Sequence, residues 1–507
     1  MKNRRLGCLA CLLCLCLALT GCMPNDVSPA ASITLAPAIR AYEAPENDSQ
    51  QGYEQTVLLY LPSLDGTQLI AVPQTASLSA ARPAAQTLCE MLLRFPGGET
   101  TAPVGGEVTL TLSGTDAVEV SGQVATVSLS ASALRLSHEQ LFTLGQALAN
   151  TLCQLGDVQY VNVLIAGSQP GLNVAATLPA GSFQANTRED LSALWARAST
   201  PSASGRRSFS ATLYYPAPSG KGVLCEGRTL SFSAQDLPGM AATLLDALSA
   251  GAERLPNTPR CPDLKAMLQS GITLTENGGS RRLSLHFRED LNAALIQAGI
   301  TRSVMMAALT DTLTTFLPGI EGIEVTIGDE KITSVTPSGT YLGAGETITF
   351  TDGLMRRRDF VPFLLTECNL YFANPQGGLT EVSRPVPFYE VYSARALLQQ
   401  MILGPQPFDS RTGLSPVLPG ELRSADLLGV GLAGNTLLMN FSARLPDLCV
   451  DFSNGEERLM VYALVNTMCH LPGVKKVALF IQGDQPDTLA GSLYLPGDFL
   501  PNDDLVE

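Results

Sequence analysis

Val57-Leu58-Leu59-Tyr60-Leu61-Pro62 runs on to Gly66. The phrase returns as Ala211-Thr212-Leu213-Tyr214-Tyr215-Pro216 running to Gly220, and again as Cys368-Asn369-Leu370-Tyr371-Phe372-Ala373 running to Gly377. Each copy is a strand followed by a glycine turn. The tyrosines Tyr60, Tyr214 and Tyr371 lie 154 and 157 residues apart. That period exceeds the roughly 20–50 residues of a solenoid repeat. It is the size of a domain. The chain therefore reads as three copies of one module, and its function must be one that a triplicated module can perform.

Outward from the tyrosines, each copy continues alike. A first helix is expected over about Ala81–Phe95, Gly239–Leu255 and Val391–Leu403, with apolar residues three and four apart on one face. Two short strands about a polar glycine turn follow, marked by Gly122, by Gly278-Gly279 and by Gly434. A longer helix comes next, over Ser137–Gln154, Thr301–Leu317 and Gly455–Leu471. It holds the strings Ala147-Leu148-Ala149-Asn150-Thr151, Ala308-Leu309-Thr310-Asp311-Thr312 and Ala463-Leu464-Val465-Asn466-Thr467. It stops at Gly156, Pro318-Gly319 or Pro472-Gly473. A last strand closes each copy at Tyr160–Ile165, Ile323–Ile327 and Val477–Ile481. The order predicts an α+β fold of three tandem β-α-β-β-α-β modules, each a small sheet with two helices on one face. Modules 1, 2 and 3 are expected at 55–200, 208–358 and 362–503. The first and third also share a tail, Gly167-Ser168-Gln169-Pro170 and Gly483-Asp484-Gln485-Pro486; the second carries a Gly-centred insertion over Thr336–Asp352.

Ahead of the modules, Lys2, Arg4 and Arg5 precede an apolar run that ends in Leu19-Thr20-Gly21-Cys22. The run is shorter than the roughly 20 residues a spanning helix needs, and its flanks are those of an export signal. Small residues before the cysteine resemble a bacterial lipobox. That resemblance implies a signal peptide over 1–21, cleavage before Cys22, diacylglycerol on its thiol and a chain anchored to the extracytoplasmic face of the cell membrane. The alternatives are an uncleaved anchor or a plain signal peptide. Residues 22–54 read as a flexible tether, being too poor in large apolar groups to order themselves.

The net charge of −15 disfavours nucleic acid and an anionic lipid surface as partners. Arg356-Arg357-Arg358 reads as a solvated linker between modules 2 and 3. Beyond Cys22 stand Cys89, Cys153, Cys225, Cys261, Cys368, Cys449 and Cys469, an odd number that excludes complete internal pairing. Cys225–Cys261 and Cys449–Cys469 could pair, but sequence does not supply the geometry.

The three histidines, His138, His286 and His470, fall at non-equivalent places, which suits neither a metal site nor a nucleophile–base pair. No phosphate-binding loop, dinucleotide fingerprint or nucleophile elbow is present. Glu456-Glu457 reads as acid favoured by a helix N-terminus. Asn150, Asp311 and Asn466 are the recurring polar candidates. A mid-helix Asn is a poor helix former and needs a reason. A hydrogen bond to a neighbouring loop or strand end supplies one; a ligand contact is the alternative. Trp195 is expected to pack on module 1 from a short connecting helix over Arg188–Ala198.

These features together resemble the GerMN (sporulation and spore germination) domain. The residues that carry the resemblance are Leu213-Tyr214-Tyr215-Pro216, the hairpin Gly122-Gln123-Val124-Ala125-Thr126-Val127, Asn466-Thr467, and Leu471-Pro472-Gly473-Val474-Lys475-Lys476-Val477 leading to Gly483. The resemblance implies a lipoprotein of a Gram-positive envelope, with modules similar to ring-building domains and no catalytic residues to carry over. The expectation is a non-enzymatic, membrane-anchored scaffold or complex-building component, in sporulation or germination, without cofactors and with envelope proteins as partners. The alternative is a ligand-binding or sensory lipoprotein acting with a sensor kinase or the cell wall.

Overall fold

In a computed structural model, which describes residues 42–49, 52–200, 205–233, 235–277, 280–337 and 346–507, the tyrosine phrase opens a hairpin. In module 1, β1 (Gly52–Pro62) turns at Gly66 and returns as β2 (Leu69–Ser79), paired antiparallel over its whole length. Then come α1 (Ala84–Arg94), β3 (Val118–Ser121), β4 (Val124–Leu129), α2 (His138–Leu152), β5 (Tyr160–Ile165) and the connecting α3 (Leu191–Ser199). Module 2 has β6 (Arg207–Pro216), β7 (Val223–Phe232), α4 (Leu237–Ala250), β8 (Thr273–Asn277), β9 (Ser280–Phe287), α5 (Leu291–Gln297), α6 (Arg302–Phe316) and β10 (Ile320–Ile327). It adds the two-residue strands β11 (Glu330–Lys331), β12 (Ser334–Val335) and β13 (Ile348–Thr349). Module 3 repeats the plan as β14 (Leu365–Ala373), β15 (Leu379–Pro387), α7 (Ala394–Ile402), β16 (Leu427–Ala433), β17 (Thr436–Phe441), α8 (Arg444–Leu448), α9 (Asn454–Met468) and β18 (Lys476–Ile481).

The order is thus β-β-α-β-β-α-β, which corrects the expected β-α-β-β-α-β. Each module also has at least two sheets instead of one: a two-stranded hairpin, and a sheet in the order β3-β4-β5, β8-β9-β10 (extended by β11) or β16-β17-β18; module 2 adds the small pair β12-β13. In each larger sheet the first pair is antiparallel and the second parallel, joined through the long helix. The missed strands carry Pro73, Gly227 and Pro385, residues that count against a strand interior. Here they sit in hairpins paired on one side only, where a missing N–H is tolerated. The arms of the module 2 insertion pair as β12–β13; the turn Gly278-Gly279 and the tip of the insertion lie outside the described residues.

The long helices start alike. Ser137 and Ser453 each close a capping box, with Gln140 and Glu456, and Thr301 accepts from the Val304 N–H. The hairpin and the larger sheet enclose both helices of a module. In module 1, Leu59 of β1, Leu88 of α1, Leu148 of α2 and Val127 of β4 are fully buried in one cluster. Burial of each such side chain contributes about 1.5–3 kcal/mol.

The modules of the compact unit Tyr42–Glu507 share their cores. Val124 and Tyr160 of module 1 belong to the apolar cluster of module 2, and Tyr53 of β1 packs on the cluster of module 3. At the first junction the β6–β7 hairpin lies on the outer face of module 1's larger sheet. Asn162 of β5 donates to Thr212 Oγ1 (2.8 Å), and the Ser182 N–H donates to the Ser210 carbonyl (2.8 Å). A Cβ on Gly227 would fall within the Tyr160 ring, so glycine there permits the approach.

The tether reading over 22–54 needs correction at its described end. Tyr42–Ser49 lies across module 3: the Ser49 N–H donates to the Val430 carbonyl (2.8 Å), Asn440 Nδ2 to the Pro45 carbonyl (3.0 Å), and Arg395 grips Asp48. Specific backbone partners hold this segment where its composition gave no sign of order. Among the described residues no single helix is long and apolar enough to cross a membrane.

Candidate functional site

The three recurring positions on the long helices all face one structural element. After its last strand, each module sends a segment back along the larger sheet, bridged antiparallel at Val161↔Phe183, Ile323↔Met355 and Val477↔Phe499. In modules 1 and 3 this segment meets the helix asparagine. Asn150 Oδ1 accepts from the Asn186 N–H (2.8 Å) and Asn150 Nδ2 donates to the Asn186 carbonyl (3.0 Å). Asn466 makes the same two bonds to Asn502, at 2.9 and 3.3 Å. Each partner is 36 residues downstream. A side-chain amide here reproduces the two bonds of a strand pair, which satisfies backbone groups that the end of the sheet leaves over. The shared tails recur as well: Gln169 Nε2 and Gln485 Nε2 donate to the Gly181 and Gly497 carbonyls, each 12 residues on.

Module 2 solves the same position with charge. Its returning segment delivers Arg357, whose Nη1 lies 3.6 Å from Asp311 Oδ1. Nη1 also donates to Tyr214 Oη (3.1 Å) and Thr315 Oγ1 (3.3 Å), and Nη2 donates to Glu119 of module 1. The guanidinium sits 5.2 Å from the Tyr214 ring centre, a cation–π contact. The solvated-linker reading of Arg356-Arg357-Arg358 is therefore corrected. Arg358 is exposed, Arg356 binds Glu321, and Arg357 is a buried joint between two modules. Both Asp311 carboxylate oxygens are buried without a hydrogen bond. Burial pushes the Asp311 carboxyl up to about 7, with Arg357 pulling it down and Glu119 pushing it further up. Burial likewise raises the Tyr214 phenol.

The threonine beside each candidate has a part too. Thr151 and Thr312 accept from the N–H of Tyr60 (3.1 Å) and of Tyr214 (3.0 Å), pinning helix to hairpin. Thr467 stands at the same place with a buried hydroxyl that has no bond.

In module 3 the helix-terminus reading of Glu456-Glu457 holds for the exposed Glu456 but missed the burial of Glu457, and Arg384 was not singled out at all. Glu457 is wholly buried. It accepts from the N–H groups of Leu489, Ala490, Ser492 and Leu493 and from the Ser492 hydroxyl. Burial opposes its charge, but these donors prevail and hold the carboxyl below its ordinary value. Arg384 makes paired bonds to Asp409 and donates to the Gln400 and Gly404 carbonyls (2.7 Å each). Neither set of partners is announced by local sequence: those of Glu457 lie in one loop, and those of Arg384 in α7 and the loop after it.

Cys22 lies outside the described residues. The cysteines from Cys89 onward are free thiols, including the two pairs that sequence left open. His286 bonds the Gly328 carbonyl (2.8 Å) and His470 stacks on Tyr371, while His138 opens α2. Among the described residues no group of three or more His, Cys, Asp or Glu could hold a metal ion. Trp195 on α3 packs against Phe142, ring centres 5.6 Å apart. A cleft of about 840 Å³ opens between α1 and the loop that follows it in module 1 and Phe388, Tyr389 and Tyr392 of module 3.

The family model Germane, described as sporulation and spore germination, matches residues 58–170 and 369–487. The two matched stretches are similar to the Germane family and together span a little under half of the chain. The matched residues fall in modules 1 and 3, the two that share the amide pair and the tail; the charged joint of module 2 lies between them. Among solved structures, the tandem GerMN domains of the sporulation protein GerM from Bacillus subtilis are 16% identical. That match covers 58% of this chain and all of that one, with a TM-score of 0.22. The first GerMN domain of the same protein is 17% identical over 27% of this chain and 96% of that one (TM-score 0.19). A Clostridium perfringens protein described as a lipoprotein is 21% identical over 27% of this chain and 89% of that one (TM-score 0.19). No curated protein matches the chain.

Proposed function

We propose that this chain is a non-enzymatic scaffold of a Gram-positive cell envelope, anchored through lipid on Cys22 and serving sporulation or spore germination. The Germane match supports the process. The observation that carries the scaffold reading is the use made of polar side chains. Asn150, Asn466, Arg357, Glu457 and Arg384 all serve to tie segments and modules to one another. What remains to act outward is a rigid set of hairpin and sheet faces. Photocrosslinking from exposed Leu58, Val174 and Tyr494 in cells tests this. One envelope protein should recur from neighbouring positions; absence of any adduct from all three overturns the scaffold. Cys22→Ala should shift the chain out of the membrane fraction, and retention there overturns the anchor.

The cleft between modules 1 and 3 supports a second reading, as a binding module for wall fragments. Its exposed Tyr389 beside Phe388 offers an aromatic platform, with Arg82 and Glu90 across from it. Muropeptides that leave the thermal unfolding of the chain unmoved would remove it.

A further inference from the structure

Two of the three larger sheets have their outer faces covered, and by different things. On module 1 the cover is the β6–β7 hairpin. On module 3 it is the short segment Tyr42–Ser49. Leu438 of β17 and Ala478 and Phe480 of β18 form a small apolar cluster there, packed by Tyr42 and Ala44. Gly429 and Gly431 of β16 leave room for Pro45. Register makes the two faces equivalent. Thr126, Tyr160 and Asn162 stand in module 1 where Leu438, Lys476 and Ala478 stand in module 3.

The hairpin face used at the first junction has a free counterpart. In module 2 that face is Ser210, Thr212 and Tyr214, opposite Thr229, Gly227 and Cys225. In module 1 the same positions are Thr56, Leu58 and Tyr60, opposite Thr75, Pro73 and Ala71. None is charged, and all but the half-buried Tyr60 are exposed, Leu58 to 37%. Among the described residues the first module thus presents an exposed hairpin face. The chain also has, at its third, a sheet face that, among the described residues, is covered by the eight of Tyr42–Ser49.

We propose that Tyr42–Ser49 is a latch over a module-docking face, and that its release lets module 3 accept the module 1 hairpin of a second copy. This rests on the scaffold reading and supplies its regulation. The docking is head-to-tail, so it can repeat from copy to copy. The precedent is internal, because one hairpin already sits on one such sheet within the chain. The latch is light. Its ion pair, Asp48 with Arg395, is half exposed and contributes little. A net charge of −15 opposes indiscriminate association, so an uncharged face is where copies can meet.

Full-length chain in detergent tests the latch by sedimentation, as wild type and as the double variant Tyr42→Ala, Asp48→Ala. Wild type should sediment as one chain and the variant should gain mass with concentration. Adding Leu58→Glu should abolish the gain. Mixing one preparation carrying Leu58→Cys with another carrying Leu438→Cys should give an intermolecular disulfide in the latch-variant background alone. A variant that stays single while hydrogen exchange at the Ser49 N–H shows the latch detached overturns the proposal. So does association that ignores Leu58→Glu, which would report the newly bared Phe480 alone. If envelope adducts persist in cells while the variant stays single, the latch falls and the scaffold stands. If the variant associates but no envelope adduct forms, the scaffold falls and the latch stands.

Discussion

Asp311→Asn should stabilise the chain above neutral pH. Asp311, Glu119 and Arg357 place two acids and one base in a buried junction. Burial, opposed by Arg357 and reinforced by Glu119, raises the Asp311 carboxyl to about 7. An unfolded Asp titrates near 3.9. Between these values the folded chain holds a proton that the unfolded chain has released. Stability therefore falls as pH rises through the window, and the contribution is fully lost above about 7. Roughly three pKa units at 1.36 kcal/mol each give a ceiling of about 4 kcal/mol. Coulomb attraction to Arg357 at 3.6 Å is already contained in that shift. Asparagine removes the proton linkage and leaves Arg357 balanced by Glu119 alone. It is also the residue that Asn150 and Asn466 supply in the other modules. Urea unfolding of wild type and variant from pH 5 to pH 8 reads the effect. The advantage of the Asp311→Asn variant should grow with pH and reach on the order of 2–4 kcal/mol at pH 8. A variant less stable at pH 8, or an advantage that does not change with pH, would refute the reasoning, because Asp311 would then be ionised and well paired throughout.

Other substitutions probe the remaining joints. Glu457→Gln removes a charge that accepts from four N–H groups and one hydroxyl, and should cost about 2–4 kcal/mol by thermal unfolding. An unchanged melting temperature would mean the loop over Leu489–Leu493 is held otherwise. Asn466→Ala leaves the Asn502 N–H and carbonyl unpaired, with a cost of about 1–3 kcal/mol and faster hydrogen exchange at Asn502; unaltered exchange would argue against the amide pair. Gly227→Ala thrusts a methyl into the Tyr160 ring, so modules 1 and 2 must part. Protease cleavage between 200 and 208 should quicken in that variant, and equal rates would show that the junction yields without opening.

What the sequence disclosed was local. The Tyr60, Tyr214 and Tyr371 strands and the long helices follow from alternation and 3.6-residue spacing. The returning strands of the hairpins were hidden because Pro73, Gly227 and Pro385 look like breakers until one sees that these sheets have only two strands. Arg357 was hidden by distance: Glu119 and Tyr214 lie 238 and 143 residues away, and an Arg-rich linker ordinarily faces water. The donors to Glu457 come from backbone N–H groups 32–36 residues on, which no residue type announces. Tyr42–Ser49 has the composition of a tether; its order comes from a sheet nearly 400 residues later.

The divergence of module 2 has a physical cause that local comparison does not reach. In modules 1 and 3 the helix asparagine bonds to backbone within its own module, so the joint closes on itself. In module 2 the helix carboxyl has no donor group to complete such a pair, and the returning segment instead supplies Arg357, whose length carries the guanidinium through to Glu119. A base at the helix position would repel that cation, while Glu119 supplies the counter-ion that a buried guanidinium needs. Asp311 and Arg357 therefore belong together, and what they serve lies in module 1. The same shift explains Gly227 and Thr212, whose small side chains let the β6–β7 hairpin settle on β5. Module 2 has adapted its hairpin, helix and returning segment to a neighbour. The matching hairpin face of module 1 keeps Leu58 and Pro73 in the open, as a face does that awaits a partner from another molecule.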